Sequence, residues 1–548
     1  MSGKAIMIQG TASHVGKSVL VTALCRIFHQ DGLRVAPFKA QNMSLNSYVT
    51  PDGKEIARAQ AVQAEAAGIP AEAIMNPILL KPTADSRSQV VVLGRPLTDA
   101  EAREYRERHI PALAKVVEES LRQLLDRFDV VVIEGAGSPA EVNLRDRDLA
   151  NMHVAALANA PVLLVADIDR GGMLAAVVGT LALLAPDERE RIAGLVVNKF
   201  RGDPELLRPG LEFLTRHTGR PVLGVLPYLP GPLVDEEDSV SLESRHTRAS
   251  VLSSTSGTTA DAVRATMSEA APVVSVLRLP HIANFTDFAP LEADPGVTVR
   301  YVSPGRPVGP ADAVIIPGTK NTRADLRWLK EHGYHREIRA LLRQGKPVLG
   351  ICGGYQMLGL AVADPLGVEG PPGEEEGLGL LDVCTVFLPD KETHLVEAEA
   401  TSRVGFLEEL SCPTLRGYEV HMGATVRLDA ARPWLRLTRR GNRAVDIAEG
   451  AVDPSGLVFG TYLHDIFRND HLRRAFVTWL RRRSGLPSFR FSPPLPSPPR
   501  NPIGAVPPQG HIQAPENAPG ERYDELARIV RSHLDMGFIY DLLNRPAH

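Results

Sequence analysis

Short apolar runs, each closed by glycine or a polar cluster, recur along the first 230 residues, at 4–9, 34–39, 128–134, 161–169, 194–199 and 221–227. Runs this short and this apolar read as strands buried on both faces. Helical spacing follows the first run from Val19 to Cys25 and separates later runs over 173–185. Strand and helix alternating in this way predict a parallel sheet in an α/β domain. The pattern lapses over 241–271, where Ser, Thr, Ala and charge dominate, and this reads as a linker. A second α/β series then begins, with apolar runs at 273–277, 313–320, 347–349 and 456–464. Eleven prolines fall between Ser484 and Gly520, which predicts an extended or disordered connection. Leu526, Ile529, Val530 and Leu534 then recur at helical spacing, so a terminal amphipathic helix should dock on the body. The organisation predicted is 1–240, a linker 241–271, a second domain 272–483, a proline-rich linker 484–520 and a helix 521–548, with no internal repeat.

Composition changes this picture little. The 548 residues are 44% hydrophobic with a formal charge of -4, so nucleic acid is not indicated as a main partner. Cys25, Cys352, Cys384 and Cys412 form no CxxC pair. That argues against a zinc site or a disulfide framework and fits a reducing cytoplasm. No signal peptide and no run long enough to span a membrane is present in the sequence, so a cytoplasmic location is expected.

Candidate chemistry gathers at the ends of the predicted strands. After the first run comes Gly10-Thr11-Ala12-Ser13-His14-Val15-Gly16-Lys17-Ser18, opening a helix. Strand, glycine loop, Gly-Lys-Ser and helix make a P-loop: backbone N–H groups cradle phosphates, Lys17 reaches the terminal phosphates and Ser18 can sit on Mg²⁺. Five residues separate Gly10 from Gly16 where four are usual, a spacing that resembles the dethiobiotin synthetase branch. Lys39 ends the second run and opens the polar stretch Ala40–Ser47. There it would neutralise a γ-phosphate or a substrate carboxylate, or simply face solvent. Glu134 closes an apolar strand and is the expected Mg²⁺ partner. The charged segment Ala140–Asp148 reads equally as a solvated loop or a substrate-facing one. Asn198, at another strand end, suits a nucleotide base but also any loop.

In the second domain, Gly350-Ile351-Cys352-Gly353-Gly354-Tyr355-Gln356 joins a buried run to a helical one. Glycines around a cysteine at such a turn let a thiol stand exposed, with the amide of Gly353 available to an oxyanion. A buried structural cysteine is the alternative. His464 closes the late strand 456–464 and is a candidate base for that thiol.

With these residues in hand, the chain resembles the cobyric acid synthase family, nearly end to end over 4–480. The resemblance is carried by the elongated P-loop, Pro37–Ser47, Met75–Pro82, Glu134–Glu141, Asp167–Gly172, Asn198–Asp203, Asn284–Phe288 and Arg416–Glu419. The serine-rich and proline-rich segments lie outside it. It implies a dethiobiotin synthetase-like domain joined to a class I glutamine amidotransferase domain of the cobyrinate type. By resemblance Cys352 is the nucleophile, His464 its general base, Gly318 and Gly353 the oxyanion donors, with Gln356 near the bound glutamine. ATP and Mg²⁺ are implied, without a permanently bound cofactor. Glutamine and adenosylcobyrinic acid a,c-diamide are the implied partners, the latter amidated at positions b, d, e and g through acyl phosphates. Most class I amidotransferases carry a glutamate two residues after the histidine, whereas Ile466 stands here. Glu419 is the suggested substitute for orienting His464. Two rival readings remain: cobyrinic acid a,c-diamide synthase, and a ParA-like ATPase switch with an inactive second domain.

Overall fold

A computed structural model describes residues 3–84, 87–101, 110–143, 148–229, 271–487 and 519–544. The predicted linker 241–271 up to residue 270, most of the proline-rich stretch, and 144–147 of the charged segment lie outside the described residues. The chain divides into two units, Met1–Glu237 with Asn517–His548, and Asp238–Glu516.

The first unit is built on a parallel sheet. Its strands run Val222–Pro227, Ile192–Phe200, Val162–Asp167, Lys4–Gly10, Val130–Glu134 and Val35–Phe38 across the sheet. Each of the six apolar runs supplies one of them. Lys4–Gly10 pairs with Val162–Asp167 on one side and with Val130–Glu134 on the other. The P-loop therefore leaves the sheet between two other strand ends, where open α/β sheets bind ligands. A smaller sheet, Gln41–Met43, Ile78–Ala84, Arg87–Val92 and Arg95–Glu101, was not foreseen from the sequence. Its strands carry polar residues on the buried side, among them Asn42, Lys81 and Gln89, so they leave no unbroken apolar run.

The terminal segment packs on this unit as two helices, Pro519–His533 and Met536–Asn544, where the sequence suggested one. Tyr523, Leu526, Ala527, Val530, Ile539, Leu542 and Leu543 are buried against the P-loop helix Lys17–Gln30 and its neighbours. Ile529 is only partly buried. Asp524 pairs with Arg26 at 2.7 Å, Tyr523 donates to Glu65 at 2.8 Å, and the amide of Asp535 donates to the Leu223 carbonyl at 2.8 Å. Gly224 permits this approach, since a Cβ there would lie 2.0 Å from the His533 carbonyl oxygen. Each large apolar side chain so buried stabilises by roughly 1.5–3 kcal/mol before chain-ordering costs. Deleting 519–548 is expected to lower the thermal midpoint of the first unit by about 10 °C. An unchanged midpoint by calorimetry would contradict docking.

The second unit has its own mostly parallel sheet, ordered Thr298–Val302, Val273–Leu277, Ala313–Ile316, Val348–Ile351, Val458–Thr461 and Ala451–Val452, the last antiparallel. A largely antiparallel sheet built from Val383–Ala400, Thr414–Arg427, Leu435–Arg440 and shorter strands completes it. The strand leading to Cys352 lies between the strand before Gly318 and the strand before His464. Sheet order thus brings three distant stretches to one edge.

Candidate active sites

Strand Val348–Ile351 ends at Cys352, which adopts φ 51° and ψ -110°, a left-handed backbone rarely accepted by a side chain. The helix Gly353–Leu358 follows directly, so the Gly353 N–H has no acceptor within its own helix. Glycine is required at the turn: a Cβ on Gly354 would lie 1.9 Å from the Ile316 carbonyl oxygen. The amide of Cys352 donates to the Thr461 carbonyl at 2.8 Å, fixing the elbow to the strand that ends near His464. Gly318 lies against both side chains, since a Cβ there would meet His464 Cε1 at 3.3 Å and Cys352 Cβ at 3.7 Å. Gln356 is buried behind the elbow, accepting from Thr322 Oγ1 at 2.9 Å and donating to the Tyr462 hydroxyl at 3.2 Å. Its carboxamide braces the elbow helix.

His464 is 1% exposed. Its Nδ1 lies 2.7 Å from Asp287 Oδ2, while Asp287 Oδ1 accepts from the amide of Asp465 at 2.9 Å. Asp287 therefore stands where the absent glutamate is needed, and Glu419 does not. Tyr418 stacks on the His464 ring at 5.0 Å between centroids. Side chains alternate along a strand, so Glu419 is directed to the opposite face, where it pairs with Arg440 at 3.0 Å. Burial by itself would strip the proton from His464. Asp287, and then Cys352, outweigh that and raise the ring to about 10. The Asp287 carboxylate thus favours the charged ring, a form suited to giving a proton to a leaving nitrogen. Asn284 approaches the same ring, its Nδ2 3.3 Å from Nε2.

His421 follows Val420, whose carbonyl is 3.7 Å from the Cys352 sulfur, and stacks on Tyr462 at 3.7 Å between ring centroids. Burial pushes this histidine down to about 4, and its Nδ1 donates to the Gly423 carbonyl at 2.9 Å. It is thus a neutral ring.

In the first unit the strand ends converge on Glu134, which is fully buried. Ser18 donates to Glu134 Oε1 at 2.8 Å, Lys39 pairs with the same oxygen at 2.9 Å, and Gln63 donates to Oε2 at 2.5 Å. Lys39 accordingly faces this carboxylate and not solvent. Lys17 donates to the carbonyls of Ala12 at 3.1 Å and Gly137 at 3.0 Å, bridging the two strand-end loops. The amide of Thr11 donates to the Val165 carbonyl at 2.9 Å, and Gly10 lies against Lys17, whose Nζ would be 3.1 Å from a Cβ there. Gly16, at φ 101°, lies against Asn198. The Asn198 carboxamide donates to the Val15 carbonyl at 2.8 Å and accepts from the Lys199 amide at 2.8 Å, so it holds the P-loop from the neighbouring strand end. Lys199 adds a second tie, donating to the His14 carbonyl at 2.6 Å and to Asp167 at 2.7 Å. A hydroxyl and a carboxylate 2.8 Å apart are hard oxygen donors of the kind Mg²⁺ takes.

Asp287 and Gln63 were missed as partners of His464 and Glu134. Asp287 lies inside one of the motifs shared with the family, which was its only signal. Gln63 had none. Among the described residues no helix is long and apolar enough to cross a membrane.

The two units define a class: a P-loop nucleotide-binding domain joined to a glutamine amidotransferase. Family comparison agrees, matching residues 6–232 to the CobQ/CobB/MinD/ParA nucleotide binding domain and 273–472 to the CobB/CobQ-like glutamine amidotransferase domain. Along the whole chain it is 51% identical to a cobyric acid synthase of Pelotomaculum thermopropionicum, covering 99% of this chain and 97% of that one. Cobyric acid synthases of Desulforamulus reducens and Moorella thermoacetica are each 49% identical, with coverage of 98% and 99% of this chain and 98% of both relatives. The chain belongs to the cobyric acid synthase family and is a glutamine-dependent ligase of cobalamin biosynthesis. These matches extend past the 4–480 span of the shared motifs, into the terminal helices.

Proposed function

We propose that the protein converts adenosylcobyrinic acid a,c-diamide to adenosylcobyric acid, amidating carboxylates b, d, e and g with ammonia from glutamine. The observation that carries this reading is the pair of separate constellations, one around Lys17, Ser18, Lys39 and Glu134, the other around Cys352, His464 and Asp287. The family's cobyric acid synthases supply the substrate.

A carboxylate resists amination because its leaving oxygen is too basic. Transfer of the ATP γ-phosphoryl group to a substrate carboxylate oxygen makes an acyl phosphate and releases ADP. Lys17 and Lys39 neutralise charge on the transferring group. Ser18 and Glu134 would hold Mg²⁺, which when bound adds positive charge beside the phosphates. In the second unit the Cys352 sulfur, as thiolate, attacks the carboxamide carbon of glutamine. The amides of Gly318 and Gly353 stabilise the oxyanion, and His464 donates its proton to the departing ammonia. Water then cleaves the thioester with the neutral His464 as base, releasing glutamate. Ammonia attacks the acyl phosphate, an amide forms, and inorganic phosphate leaves.

Corrinoid substrate labelled with ¹⁸O in its carboxylates is expected to pass one labelled oxygen to inorganic phosphate per amide made. A Lys17→Ala variant should lose this transfer with either nitrogen source. Label found in AMP would overturn direct phosphorylation, and normal amide synthesis by Lys17→Ala from ammonia would overturn the P-loop as the activating site.

A further inference from the structure

Three carboxamides lie in line behind Glu134. Asn42 Nδ2 donates to Gln60 Oε1 at 2.9 Å, Gln60 Nε2 to Gln63 Oε1 at 3.4 Å, and Gln63 Nε2 to Glu134 Oε2 at 2.5 Å. Asn42 is 3% exposed, and Gln60, Gln63 and Glu134 are 0% exposed. Gln60 and Gln63 are three apart on the helix Arg58–Ala66 and so share a face. Asn42 belongs to the strand Gln41–Met43, in the polar stretch that Lys39 opens.

Burying three carboxamides where alanine, valine or leucine would pack costs free energy unless every group is satisfied. Helix stability does not call for them. All three bonds run in the same sense, each amide donating towards the carboxylate, so each polarises the next and the last N–H meets an ionised acceptor. Gln63 takes Oε2. That leaves Oε1 as the oxygen facing Ser18 and Lys39. Hydrogen bonds of this kind to a ligating carboxylate set its orientation, and their loss commonly lowers metal affinity by about 10–100-fold.

We infer that Gln63, backed by Gln60 and Asn42, is a positioning residue that fixes which oxygen of Glu134 is presented to the divalent cation of the nucleotide site, tying that site to the polar stretch after Lys39. This rests on Glu134 being a metal ligand, as in the proposed function. The relay itself belongs to no role assigned above.

The test is Mn²⁺ binding to the full chain with a non-hydrolysable ATP analogue, followed by electron paramagnetic resonance. Gln63→Met, which keeps the side-chain length and removes the donor, is expected to weaken Mn²⁺ binding by about 10–100-fold. Analogue binding measured in EDTA should stay within about twofold, a split that a merely structural residue would not produce. Asn42→Ala, which leaves Glu134 untouched, should weaken Mn²⁺ by a smaller factor, about three- to tenfold. Mn²⁺ affinity unchanged in Gln63→Met while Glu134→Gln lowers it would overturn the relay. Affinity unchanged in Glu134→Gln as well would overturn the metal assignment on which it rests. Should Gln63→Met fail to fold, Asn42→Ala decides in the same assay, and no effect there overturns the inference.

Discussion

Cys352→Ala is expected to abolish amide synthesis from glutamine while leaving synthesis from high ammonia near the normal rate. Loss of a covalent nucleophile removes the reaction path itself, so the fall in glutamine use should exceed about 10³-fold. The small alanine keeps the elbow backbone, although φ 51° at residue 352 remains strained for any side chain. On the proposed function, ammonia-dependent synthesis relies on Lys17, Ser18, Lys39 and Glu134, all in the other unit. Two measurements on one preparation suffice: corrinoid amide formed with glutamine, and with an ammonium salt at a pH where free ammonia is plentiful. Equal loss of both in a folded protein would contradict two separable chemistries.

The central sheets were legible because their strands are buried on both faces and therefore appear as unbroken apolar runs. The antiparallel sheet of the second unit was not. Val383–Ala400 alternates buried and exposed positions and carries Asp390, Lys391 and Glu392 midway, where the register shifts against Thr414–Arg427. A half-solvated strand with an irregularity in it has no clean period to detect. The cysteine elbow and the P-loop stand out because each is a local turn marked by glycines close in sequence, Gly350, Gly353 and Gly354 in one and Gly10 and Gly16 in the other. Asp287 depends on no local geometry. It stands 177 residues before His464, and only the crossing of two strand-end loops brings them together. Glu419 attracted attention through its motif, yet on the strand that contributes Tyr418 to His464 the next side chain must face away. Asn198 and Gln356 were expected beside the nucleotide and the glutamine. In the structure their carboxamides hold the protein's own P-loop and elbow, a use that no sequence pattern distinguishes from ligand binding.

Asp287→Asn should lower the turnover of glutamine by about 10⁴-fold, by analogy with loss of the orienting carboxylate in a hydrolytic triad. It should leave the ammonia-dependent reaction intact. The carboxylate fixes Nδ1 at 2.7 Å and, against the effect of burial, keeps His464 charged up to about 10. With a neutral amide there, only Cys352 is left to oppose burial, so the ring should release its proton at lower pH than in the native protein. Residual glutaminase of the variant should therefore rise as pH falls, whereas the native enzyme should hold its acid function to higher pH. Stability carries the same signature with a definite sign. In the native protein the folded-state value lies above the unfolded one, so this contribution is fully present below about pH 6.5 and is lost as pH rises towards about 10. Denaturant unfolding across that window should show native stability declining with pH, and a shallower slope for Asp287→Asn. A variant with the native pH–rate profile and only a lower melting point would make Asp287 a structural residue alone, and the orientation of His464 would then need another source.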